Sequence, residues 1–255
     1  MKNKTFLKEG NELVTNRTLE RSEQLAEVKE IMKANLDDLG ILYRTHLPVF
    51  LGPGEIARIL WFNYCFELIK DTPGCIIEFG SHFGASLQTL NNLRIIHDPF
   101  NSSRLVFSFS TFEEGFRNVD DKLDGISSND DYATPASWKA NIAKVAKLNE
   151  SYSPLSGMLQ IYEGDATITF EKFLIENPEI VISFAHFDMD IYKPTKKTLE
   201  LVLDRMPKGG LLVFDEINHP GFPGETMALN EVLGIKNVKL KKTKFQPYSA
   251  YIIKE

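Results

Sequence analysis

Cys75-Ile-Ile-Glu78-Phe-Gly80-Ser-His-Phe-Gly84-Ala-Ser86 reads as an apolar strand that ends in an acid, turns on glycine and enters a helix. Glycine is required where backbone turns tightly or where a ligand approaches it closely. A helix amino end just beyond the turn offers unpaired N–H groups to a carboxylate or phosphate. The spacing is E-x-G-x-x-x-G. It differs from the dinucleotide fingerprint G-x-G-x-x-G, which places two residues between its last glycines. An acid at the strand end suits a ligand with a free amino group, such as the methionine part of S-adenosylmethionine.

Outward from this turn, short apolar runs alternate with helical patterns. Buried parallel strands are expected over 75–79, 105–109, 158–162, 180–187 and 210–214. Helices are expected near 85–97, 136–149, 167–176, 194–206 and 224–234. Alternation of this kind predicts a Rossmann-like, doubly wound α/β sheet, mostly parallel and covered on both faces. Residues 238–245 and 248–253, parted by Gln246-Pro247, predict a terminal antiparallel hairpin or an inserted strand.

Before the turn, Pro53 begins a helix to about Lys70 that is apolar nearly all round, which predicts burial. A further helix carries Leu25, Val28, Met32, Leu36 and Leu39 at three- and four-residue spacing. That stripe must pack on its own subunit or on a partner's. The first 17 residues are polar and expected to be partly disordered. The reading is thus a helical extension over 1–50 and one domain over 51–255. Within that domain, residues 113–135 are polar, acidic and aperiodic, and are expected to form a substrate lid.

Of the 255 residues, 43% are hydrophobic and 25% charged, as in ordinary globular chains. No apolar run approaches the ~18 residues of a membrane span, and the first residues lack a signal-peptide pattern, so a cytoplasmic protein is expected. A net charge of −6 argues against nucleic acid as the main partner. Lys236, Lys239, Lys241, Lys242 and Lys244 read as protective lysines on an edge strand, or as local attraction for an anionic substrate group such as a diphosphate. Cys65 and Cys75 read as core thiols.

The fourth parallel strand ends in His186-Phe-Asp188-Met-Asp190 and the fifth in Phe214-Asp215-Glu216. Carboxyl ends of neighbouring parallel strands form the binding edge of such a sheet. Like charges gathered there repel, by roughly 4 kcal/mol per pair at 4 Å and an effective dielectric of 20. A divalent cation would relieve that repulsion, and an all-oxygen set favours magnesium or manganese. Asp188, Asp215 and Glu216 are the expected metal ligands. Asp190 and His219 are the candidate proton acceptors. His186, inside a strand, reads as packed or supporting. His46 and His97 show no metal spacing, and His82 is expected to line the turn. Asp165, in Glu163-Gly164-Asp165-Ala166 after the third strand, can accept a hydrogen bond from an adenine amino group.

The blocks PGCIIEFGSHFGAS, VFSFSTFEEGF, EGDATITFEKFLIENPE, FAHFDMDIYKPTKKTLE and KGGLLVFDEINHPGFPGETMALNEVLG occur in this order. Together they resemble the macrocin-type sugar O-methyltransferases over roughly residues 50–254. The resemblance implies a class I methyltransferase fold, S-adenosylmethionine, a metal at the acids after strands four and five, a sugar acceptor and a homo-oligomer. It implies a cofactor site of Glu78, Gly80, Ser81, Gly84, Ser86, Ser110, Thr111, Asp165, Ala166 and Asp188. The loop Phe222–Glu225 would shape the acceptor pocket. One position departs from the pattern. Relatives carry an acid in the second-strand motif where this chain has Ser110, and serine bonds a ribose without charge assistance. Glu113 or Glu114 is the candidate substitute. The readings in competition are methylation of a phenol or catechol, and a scaffold that keeps the fold without turnover.

Overall fold

The computed structural model describes residues 7–9, 12–14, 19–120 and 122–255. The expectation for the first 17 residues lies largely outside these. Within that stretch β1 (Leu7–Glu9) pairs antiparallel with β2 (Glu12–Val14). Two long helices follow, α1 (Leu19–Asn35) and, after short helical turns that include α2 (Tyr43–His46), α3 (Pro53–Ile69). Pro53 occupies the first turn of α3, where no backbone donor is needed, and Glu55 reaches back to the Gly52 N–H at 2.9 Å.

The domain then alternates as the apolar runs require. The elements are β3 (Cys75–Phe79), α4 (Ala85–His97), β4 (Val106–Ser110), α5 (Trp138–Asn149), β5 (Leu159–Glu163), α6 (Ala166–Glu176), β6 (Ile182–Phe187), α7 (Tyr192–Leu203), β7 (Leu211–Phe214), α8 (Gly224–Val232) and β8 (Ala250–Ile253). The strands form one sheet in the order β5-β4-β3-β6-β7-β8. All neighbours are parallel except β8, which runs antiparallel to β7. Of the two terminal runs, only the second becomes a strand. Among the described residues the lysine-rich first run pairs with the sheet through one bridge, Lys241 to Tyr251, while Val238, Leu240 and Phe245 pack against its cores. Alternate lysines on an exposed outer edge keep their charges in water and give a ladder little to bury.

Period-two alternation sorts the strand residues onto two cores. Ile77, Phe79, Phe107, Phe109, Phe187 and Phe214 pack with Phe170, Phe173, Leu199 and Leu229 of α6, α7 and α8. Ile76, Val106, Phe184 and Val213 pack on the other face with Trp61, Phe62, Leu87, Leu90 and Ile142 of α3, α4 and α5. Both cysteines are buried free thiols, as expected, and burial raises their pKa, Cys75 to about 12.

The amino half of α3 differs from its expected burial. Ile56, Ile59 and Leu60 remain exposed, while Trp61, Phe62, Phe66 and Ile69 are buried. Among the described residues the stripe along and just after α1 is only partly covered, with Leu25, Val28 and Leu36 exposed and Met32 and Leu39 half-buried. Among the described residues, no helix is long and apolar enough to cross a membrane.

Candidate active site

The chain order of the strands reverses at β3, which lies between β4 and β6. In open α/β sheets a ligand crevice forms at such a point, beyond the carboxyl ends of the strands. Here Gly80 follows β3 and Asp188 follows β6, and the two are interlocked. Asp188 N donates to Phe79 O at 2.9 Å, and Gly80 N donates to Phe109 O at 3.0 Å. Gly80 has φ +89, and an added Cβ would overlap the Asp188 carbonyl. Only glycine lets the two strand ends approach this closely.

A cavity of about 660 Å³ opens at this point, within the range of small-molecule sites. Gly80, Ser81, Ser86, Ser110, Thr111, Asp165, Ala166 and Asp188 line it, eight of the ten residues expected to hold a cofactor. Glu78 and Gly84 stand behind the wall. Glu78 is fully buried, accepting from Ser81 Oγ at 2.6 Å and lying 3.3 Å from His186 Nδ1. It therefore orients the serine of the turn. Gly84, at φ +83, starts α4 and leaves room for Ile142. Asp165 caps α6, accepting from Thr167 N at 2.8 Å. His82, at φ +45, lines the cavity as expected, and burial lowers its pKa to about 4, so the ring is neutral.

Glu113 and Glu114 are exposed and do not line the cavity, so neither takes the place left by Ser110. The segment after them does form a wall, through Gly115, Phe116, Arg117, Asn118 and Tyr132. Asp124 anchors that segment. Its carboxylate accepts from Tyr192 N at 2.6 Å, at the start of α7, and from Asp120 N at 2.6 Å. A carboxylate at a helix amino end is stabilised by the helix dipole.

The acids gather at the ends of β6 and β7, where Asp188 and Asp190 line the cavity. Glu225, fully buried, accepts from Met189 N at 3.2 Å, Asp190 N at 3.3 Å and Glu216 N at 3.1 Å. It thereby ties the end of β6 to the end of β7. Burial and Asp188 push its pKa up to about 8. Asp190 lines the cavity at φ +59, and burial together with Asp188 and Glu225 raises its pKa well above the carboxylate range. Burial and the neighbouring Asp190 push Glu216 up to about 11. His219 lies off the cavity wall. Its Nδ1 accepts from Gly221 N at 3.1 Å and Phe222 N at 3.2 Å, so that nitrogen carries no proton and the ring holds the loop.

Arg58 reaches this cluster from α3, a residue the sequence reading did not single out. Its guanidinium donates to Asp215 Oδ1 and, at 3.0 Å, to Asp188 Oδ2, and stacks 5.1 Å from the Phe62 ring centre. Burial pushes the Asp215 carboxyl up, but Arg58, His186 and the Ser249 hydroxyl outweigh it and hold it well below the usual range. Burial and the Asp215 charge instead raise Asp188 to about 7. The one available signal was a lone arginine in an apolar helix. Its partners lie 130 and 157 residues away, so sequence spacing could not identify them.

The cluster has the donors a hard divalent cation takes. His186, Asp188 and Asp215 each offer an atom within 4.8 Å of the others. His186 Nε2 and Glu216 Oε2 are buried without a hydrogen-bond partner. These features fit a cation between the ends of β6 and β7, at a place where Arg58 now compensates two of the acids.

Neither the protein-family models nor the curated proteins give a match. Solved structures do. The crystal structure of the calicheamicin methyltransferase CalS11 superposes with a TM-score of 0.86 at 30% identity, covering 94% of this chain and 94% of that one. This chain belongs to the same O-methyltransferase family. The apo structure of CalS11, described as a TDP-rhamnose 3'-O-methyltransferase, gives 0.81 at 28% identity over 94% of this chain and 96% of that one. The O-methyltransferase NovP shares the fold, with a TM-score of 0.59 at 17% identity over 78% of this chain and 80% of that one. The six-stranded sheet with its antiparallel end is thus a class I methyltransferase sheet.

Proposed function

We propose that this methyltransferase transfers the methyl group of S-adenosylmethionine to a hydroxyl of a sugar. One observation carries the reading. A single cavity runs from the Gly80 turn to Asp188 and Asp190, joining a place for the cofactor to a place for proton transfer. The amino end of α4 faces the cavity through Ala85 and Ser86 and suits the cofactor carboxylate. Ser110 and Thr111 lie where the ribose would rest, and Asp165 with Ala166 where adenine would. The wall from Gly115 to Asn118, with Tyr132, acts as the lid that excludes water.

In the reaction the acceptor oxygen attacks the methyl carbon in line with the carbon–sulfur bond. That bond breaks, the electron pair returns to sulfur, and the hydroxyl proton passes to Asp190 in its ionised form, whose raised pKa makes it a strong base. Of the two candidate acceptors Asp190 is favoured, because it borders the cavity while the His219 Nδ1 lone pair is taken by the loop. Holding both reactants in line supplies much of the rate. A magnesium or manganese ion held by Asp188, Asp215 and Glu216 would supply the Lewis acidity that lowers the proton affinity of the hydroxyl. The aromatic walls Phe112, Phe116 and Tyr132 make a phenolic acceptor the second reading.

Calorimetric titration should show S-adenosylmethionine binding, and a screen with radiolabelled cofactor should show methyl transfer to nucleotide sugars rather than catechols. Failure to bind the cofactor would overturn the proposal, whereas transfer to catechols alone would select the phenolic reading. We further assign the exposed residues of α1 and α3, including Leu25 at 40% and Ile59 at 43% exposure, to contact with a second copy of the chain. Light scattering is expected to return at least a dimer, and Leu25→Lys with Ile59→Lys should reduce it to a monomer. A monomeric wild type would refute this assignment.

A further inference from the structure

Glu78, Asp188, Asp190, Asp215, Glu216 and Glu225 crowd the ends of β3, β6 and β7, with Asp188 and Asp190 at the cavity wall, and the basic groups that meet them are Arg58 and His186. The two prongs of Arg58 take Asp188 Oδ2 and Asp215 Oδ1. These two aspartates, with His186, form the group whose donor atoms could share an ion. A guanidinium and a divalent cation therefore have overlapping claims on the same carboxylates, while His186 Nε2, 3.9 Å from Asp215 Oδ1, and Glu216 Oε2 are buried without a hydrogen bond beside them.

Arg58 is placed so that it can leave. Its side chain is 28% exposed, whereas Asp215 is 12% exposed. It springs from the amino half of α3 and stacks on the buried Phe62 ring, so its withdrawal uncovers that ring while the helix backbone stays in place. Its departure breaks two charge-assisted hydrogen bonds and a contact with the Phe62 ring, and a doubly charged ion replaces a singly charged one.

We propose that Arg58 is an internal counter-ion that competes with the divalent metal for Asp188 and Asp215, so that metal entry requires the guanidinium to withdraw. The inference rests on the metal reading above. With Arg58 in place the aspartates are compensated without metal. With Arg58 withdrawn, both aspartates and Glu216 are open to the ion.

The test measures manganese binding by electron paramagnetic resonance and calorimetry, on wild type, Arg58→Met and Arg58→Lys. Methionine keeps the bulk without the charge. Lysine keeps the charge without the two-pronged grip. Arg58→Met is expected to bind manganese at least about tenfold more tightly than wild type, since a unit charge at contact distance outweighs that ratio. Arg58→Lys should fall between the two. A lysine variant identical to wild type would mean that charge alone matters, and would overturn competition for the ligands. Equal affinity in all three would overturn the proposal and leave the metal reading standing. No binding in any of them would overturn both. A measurement on wild type avoids dependence on the variants' folding. The 15N guanidinium resonances of Arg58 should change when magnesium saturates the protein, and unchanged resonances at saturation would refute the withdrawal.

Discussion

Gly80→Ala is expected to abolish S-adenosylmethionine binding and to destabilise the chain by about 3 kcal/mol or more. Two penalties combine. The backbone at Gly80 has φ +89, where an L-residue costs about 1–2 kcal/mol. The new Cβ would also overlap the Asp188 carbonyl, and relieving such a clash costs about 1–3 kcal/mol. The obstacle is backbone, so no side-chain rotation removes it, and the ends of β3 and β6 must part. Parting moves Asp188, a cavity residue, and misplacement by ~1 Å in a site costs about a hundredfold. Gly84→Ala is the control. Its φ is +83, and the Cβ would press on the buried Ile142 side chain rather than on backbone. Its loss should exceed the backbone penalty but stay below that of Gly80→Ala, because a side chain can shift where a strand end cannot. Thermal melting and cofactor calorimetry check both, and a Gly80→Ala protein that melts with wild type would show that the two strand ends do not approach as described.

The second large effect lies far from the cavity. Arg104→Met should cost about 3–5 kcal/mol, the range for removing one partner from a buried charged network, or about 10 °C in melting temperature. The Arg104 side chain is 2% exposed and pairs through Nε with Asp98 Oδ2 at 3.1 Å. Nη1 donates to Thr72 O, Gly74 O and Ser183 Oγ at 2.9, 3.1 and 2.7 Å. Nη2 lies 3.4 Å from both Ile69 O and Lys70 O, the last carbonyls of α3 and its cap. One guanidinium thus closes a helix terminus, the turn into β3 and a residue of β6. Arg104→Lys should recover only part of the loss, because an ammonium cannot fan five donors over these acceptors. Full recovery by lysine would reduce the role of Arg104 to charge alone.

Much of the sheet was legible because both of its faces are buried. Cys75–Phe79 and Ala85–His97 match their expected spans, and the other strands shift by one or two residues at their ends. A parallel strand covered on both sides must be apolar throughout, and turn glycines mark its ends. The binding edge was legible for the same reason, since the topology of alternating strands and helices puts every strand's carboxyl end on one side. That placed Gly80, Ser110, Asp165 and Asp188 on one cavity wall. Glu78 has the right position in the chain, yet its side chain turns to Ser81 and His186. In a strand, a side chain's side of the sheet follows from parity, but which neighbour it meets depends on the adjoining strand. The edge run 238–245 failed as a strand for a related reason, since propensity cannot weigh the lack of a second neighbour.

By itself the sequence determined the strand–helix alternation, the glycine turn and the acids at the ends of β6 and β7, because each is a local pattern of polarity and backbone freedom. Only the tertiary structure decided what those acids meet. Arg58 comes to Asp188 and Asp215 across 130 and 157 residues of chain, and Glu225 takes three N–H groups from two different strand ends. Charge compensation in a buried cluster depends on distances of a few ångströms in space, and the linear chain records no such distance.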